Sequence, residues 1–116
     1  MWTKPSAIVL ISLFAVQQAI AQQPQPSVQI IAQAYDRCMA TYAVRLTRTA
    51  ATDEDIFMQA SQSCLSLKVQ LTAAINTQLP PAQATETLQA IDATAEPNFI
   101  AMLARIRSDR ARREGR

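Results

Sequence analysis

Residues 28–79 read VQIIAQAYDRCMATYAVRLTRTAATDEDIFMQASQSCLSLKVQLTAAINTQL and hold Cys38 and Cys64, the only two cysteines of the chain. The first half carries Val28, Ile31, Tyr35, Cys38, Tyr42 and Leu46 at three- and four-residue spacing, one stripe of an α-helix. The second half does the same with Ile56, Ala60, Cys64, Leu67, Leu71 and Ile75. Between them, Thr49-Ala50-Ala51-Thr52 has no apolar anchor. Thr52 is a good N-cap, with Asp55 three residues on as in a capping box. Asp53, Glu54 and Asp55 suit the positive end of the second helix, and Arg45 and Arg48 the negative end of the first. The turn is thus placed without reference to cysteine.

That placement makes the cysteines a ruler. The midpoint of positions 38 and 64 is residue 51, inside the turn. At ~1.5 Å rise per residue both cysteines lie ~20 Å from the bend, level with each other. Antiparallel helices pack ~8–10 Å apart, so inward-facing cysteines at one level reach the ~5.5–6 Å Cα separation of a disulfide. A Cys38–Cys64 disulfide is expected, with two buried thiols as the alternative.

Beyond the hairpin, Pro80 and Pro81 end the second helix. Ala84, Leu88, Ile91, Ala95, Phe99, Met102 and Ile106 then continue a helical stripe through Pro97 without a phase slip. This predicts a helix kinked near Glu96, or a break into two helices there. The chain has one glycine, Gly115, and no alternating β-branched runs. The expected class is all-α, a three- to four-helix bundle built on an antiparallel helical hairpin.

Upstream, Lys4, the apolar run at residues 7–16 (AIVLISLFAV) and Ala19-Ile20-Ala21 form the three parts of a secretory signal peptide. A run of ten residues is too short to span a ~30 Å bilayer, although a retained anchor is the alternative. Cleavage after Ala21 starts the mature chain at Gln22, with no cysteine there to carry a lipid. The expected division is a signal peptide at 1–21, a disordered lead-in at 22–27, a helical domain at 28–113 and a tail at 114–116. A small exported core with an even cysteine count fits a disulfide-permitting compartment, the periplasm or the exterior. No C-x-x-C spacing suggests a redox catalyst.

Residues 105–116 hold six arginines (Arg105, Arg107, Arg110, Arg112, Arg113 and Arg116) against Asp109 and Glu114, a local net charge of +4. Residues 22–104 carry four basic and seven acidic side chains, a net −3. The plain reading of the arginines is a solvated helix end. The sharper one is an anionic partner such as a membrane surface or lipopolysaccharide. Nucleic acid is disfavoured, since no aromatic residue interleaves the arginines.

The chain contains no histidine, which removes the commonest general base and metal ligand. Bridged cysteines leave no thiolate for catalysis or zinc. A single glycine cannot make a glycine-rich phosphate-cradling loop. Asp53, Glu54 and Asp55 serve as capping and dipole groups, and Asp92 and Glu96 as solvated ones. No catalytic, metal or cofactor site is expected. Tyr35 and Tyr42 are read as packing around the bridge, with a ligand or partner groove as the alternative, and Met39, Met58 and Met102 as core filler, with a promiscuous binding surface as the alternative.

The segments Tyr35-Asp36-Arg37-Cys38 and Ala60-Ser61-Gln62-Ser63-Cys64 resemble those of small exported two-cysteine helical proteins of proteobacteria. The resemblance implies an exported all-α fold and no particular activity. In size and in its single interhelical disulfide, the chain is also similar in class to acid-activated periplasmic chaperones. The expected function is therefore protein contact without catalysis, with another envelope protein as partner. A stress chaperone loosened by carboxylate protonation and an anionic-surface binder are the alternatives. A leftover apolar stripe would support a homodimer.

Overall fold

The computed structural model describes residues 26–115. Its elements are α1 (Val28–Leu46), α2 (Asp53–Ser63), α3 (Leu65–Gln78) and α4 (Pro81–Arg113). No strand occurs among the described residues, and the fold is all-α. The signal-peptide segment 1–21 and most of the lead-in lie outside the described residues.

Each helix begins where local chemistry starts it. Ser27 caps α1 by accepting from the Ile30 N–H at 3.2 Å, and Thr52 caps α2 by accepting from the Asp55 N–H at 3.2 Å. Such caps contribute about 1 kcal/mol each. Asp53, Glu54 and Asp55 fill the first turn of α2, and Arg45 the last turn of α1. Pro81 opens α4 at a position where the missing N–H costs nothing.

The α1–turn–α2–α3 hairpin is antiparallel, and Cys38 and Cys64 join its two arms with a Cα separation of 6.0 Å. Closing a loop of 26 residues restricts the unfolded chain and stabilises the fold by about 3–4 kcal/mol in the chain-entropy model. The second arm is not one helix, as its unbroken stripe suggested. It is interrupted at Cys64, whose φ of −103° and ψ of 14° depart from helical values. The bonds Cys64 N–H to Ala60 O (2.9 Å) and Lys68 N–H to Cys64 O (3.1 Å) carry the arm onward in nearly the same direction. The distortion falls on the bridged residue, which is only 1% exposed.

α4 runs back alongside α3, so it points the same way as α1. Lys68 on α3 meets Asp92 at 3.2 Å, and Arg107 on α4 meets Asp53 on α2 at 2.8 Å. α4 is continuous from Pro81 to Arg113, and the break weighed at Pro97 does not occur. Proline removes one helical hydrogen bond and leaves the carbonyl four residues earlier without its donor. Here that carbonyl belongs to Ala93, which like Pro97 is exposed, so the lost bond falls on the solvent-facing side of the helix. Beyond the proline, buried Phe99 and Leu103 hold the helix onto the bundle.

The core forms two clusters. The upper one joins Met39, Ala43, Ile56, Ala60, Cys64, Phe99 and Leu103; the lower joins Leu71, Ile75 and Ala84. The α2–α3 stripe is buried as expected, except that Leu67 is half-buried. On α1 the burial is centred elsewhere. Met39 and Ala43 are buried, whereas Val28, Ile31, Tyr35, Cys38, Tyr42 and Leu46 are half-buried. The reason is that α1 faces α4 as well as the second arm, which moves its deepest line toward the gap between them. Met58, read as core filler, is a correction: it is 55% exposed on the outer side of α2.

Two long-range clasps close the bundle ends. At the lower end the Gln78 side chain accepts from the Val28 N–H (3.2 Å) and donates to the Pro26 carbonyl (2.9 Å). Pro26 and Ser27, assigned to the disordered lead-in on sequence, are therefore fastened to the fold. At the upper end Arg110 reaches the last turn of α1. Gly115, with φ of +76°, turns the chain out of α4.

Candidate functional site

α4 packs against both arms of the hairpin but does not close fully against α1. Between α1 and α4 lies a groove of about 470 Å³, at the level where the two core clusters meet. Met39 and Tyr35 line it from α1, Phe99 and Met102 from α4, and Phe57 and Leu71 form its floor. Phe57 and Phe99 pack against each other with ring centroids 5.4 Å apart and planes tilted by 59°, a favourable aromatic contact. Tyr35 packs against both core clusters. Methionine and aromatic walls give an adaptable apolar surface.

Polar groups occur at the rim. Asp36 stands on the α1 side, and Thr94, Asn98 and Arg105 on the α4 side. Asp36 and Arg105 are exposed, and neither forms an ion pair or side-chain hydrogen bond among the described residues. The groove thus offers an apolar floor with one unused charge of each sign.

The arginine-rich end divides into used and unused side chains. Arg107 pairs with Asp53, and Arg112 with Asp109. Arg110 Nη2 donates to Thr47 Oγ1 (3.0 Å) and the Val44 carbonyl (3.3 Å), placing a cation at the C-terminus of α1. Three of the six arginines named as possible contacts to an anionic partner are thus engaged within the protein. Arg105 and Arg113 are the exposed ones that make no ion pair among the described residues, while Arg116 lies outside them. Arg45, in turn, lies over the Tyr42 ring, 5.2 Å from its centroid.

Among the described residues, no group of three or more Asp, Glu, Cys or His side chains comes close enough to hold a metal ion. No described helix is long and apolar enough to cross a membrane. A groove at Tyr35 is the lesser of the two sequence readings, since the residues of its walls carry the periodicity of core positions. No family model matches the chain, and neither curated proteins nor solved structures provide a match.

Proposed function

We propose that this chain is an exported, non-catalytic helical module that acts by protein contact, receiving an apolar segment of its partner in the α1–α4 groove. The single observation behind this reading is the groove itself, apolar at its floor and rimmed by the unused charges of Asp36 and Arg105. A partner covering it gains apolar burial and satisfies both charges. Export is supported by the Cys38–Cys64 disulfide, since such bridges persist outside reducing compartments. It is supported as well by the leader pattern at 1–21, with the mature chain starting at Gln22. The anionic-surface alternative is weakened by the engagement of Arg107, Arg110 and Arg112 within the protein.

The test places a photo-crosslinking residue at Met102, in the groove, and separately at Gln89, an exposed position on α4. A defined adduct is expected from position 102 and not from position 89. It should disappear when Ala95→Trp fills the groove. An adduct pattern that ignores the plug would overturn the reading.

A further inference from the structure

We infer that the occupant of the groove is a second copy of this chain, docked through the outer face of its α2–α3 arm. This rests on the groove being a contact site and names what enters it. The outer face of the arm carries Met58, Leu65 and Val69, which are 55%, 57% and 59% exposed. Their spacings of seven and four residues keep them on one helical stripe. The opposite face of the same arm buries Ile56, Ala60, Cys64, Leu71 and Ile75. The stripe therefore points away from the molecule's own groove, and each copy presents both a ridge and a receptacle.

Length and charge agree with this docking. Met58 to Val69 spans ~16 Å along the arm, and Ile91 to Arg105 spans ~21 Å along the α4 wall. One turn before Met58 stand Glu54 and Asp55, exposed and without ion pairs among the described residues. Arg105, equally unpaired, stands at the upper end of the groove. Laying the Met58 end of the ridge toward Arg105 brings acids to the arginine. Within one molecule, both features lie at the end where Arg107 meets Asp53. Neighbouring copies therefore stand side by side in the same orientation. Such a ridge-into-groove contact joins two different surfaces, so it propagates into a ring or an open row rather than stopping at a two-fold dimer. Assembly by such a contact depends on concentration.

The test is sedimentation of the purified protein from about 10 µM to about 1 mM, with folding of every variant confirmed by far-UV circular dichroism. The wild type is expected to grow beyond a dimer as concentration rises. A ridge variant (Met58→Glu with Leu65→Glu) and a groove variant (Ala95→Trp) should each remain monomeric. Mixed in equal amounts, they should form a one-to-one pair and grow no further, because one intact ridge meets one intact groove. Arg105→Glu should weaken wild-type assembly at least tenfold, and adding Glu54→Arg and Asp55→Arg should restore it. Three results would overturn the inference: a wild type that stays monomeric, a dimer that the groove variant still forms with itself, or a mixture that does not pair. A foreign protein crosslinked at position 102 by a monomeric wild type would sink self-docking while leaving the contact reading standing; no specific adduct at all would sink both.

Discussion

Arg110, near the end of α4, donates a hydrogen bond to the Thr47 hydroxyl at the end of α1, 3.0 Å away and 63 residues upstream. The same guanidinium reaches the Val44 carbonyl at 3.3 Å, so one side chain supplies donors and positive charge to the open C-terminus of another helix. Arg110→Ala is expected to lower stability by about 1–2 kcal/mol. Arg110→Lys should recover less than half of that, because an ammonium lacks the forked geometry. Urea unfolding read by circular dichroism measures both. A loss no greater than that of Arg105→Ala would show that the clasp adds nothing.

The disulfide stabilises the fold chiefly by restricting the unfolded chain. Replacing Cys38 and Cys64 by serine is expected to remove about 3 kcal/mol, equivalent to a fall of about 12–24 °C in Tm. The helices should re-form on cooling, since the caps and the core remain. A Tm within a few degrees of the bridged protein would contradict this assignment.

Met58 and Leu103 provide a matched pair of truncations. Leu103 is fully buried between α4 and the upper core cluster, and Leu103→Ala should cost about 2–5 kcal/mol through a cavity. Met58 faces outward, and Met58→Ala should change stability by no more than about 0.5 kcal/mol. Comparable losses at the two positions would mean that the burial pattern described above is wrong.

Pro97 interrupts the hydrogen-bond ladder of a helix that nevertheless continues past it. Pro97→Ala restores a donor for the Ala93 carbonyl and is expected to raise stability by about 1–3 kcal/mol. Slower amide exchange on either side of position 97 should accompany the gain. A destabilised variant would show that the bundle depends on the proline's local shape.

The hairpin was legible because independent local signals agreed. The Thr52 cap, the acidic first turn of α2 and the apolar stripes located the bend, and the equal distance of Cys38 and Cys64 from it set the register. The split at Cys64 was not legible, since nothing in Ser63-Cys64-Leu65 breaks a helix and the distortion belongs to the bridged tertiary structure. Pro97 failed in the opposite sense. A strong local breaker was overruled by exposure of the orphaned Ala93 carbonyl and by the burial of Phe99 and Leu103 beyond it. The roles of Arg107 and Arg110 could not be read from charge alone, because their partners Asp53 and Thr47 lie more than fifty residues upstream. The groove at Tyr35 ranked below core packing for a related reason. Met39 and Met102 have the same periodicity whether two helices meet or stand apart.

The lengthwise return of α4 has a bearing on how the molecule comes into being. A polypeptide that threads out from its amino end has made all of its opening helix long before Arg110 follows. Until then that helix lacks its upper fastening. Closure at that end therefore waits for the last turns of α4, the latest-made of the four helices.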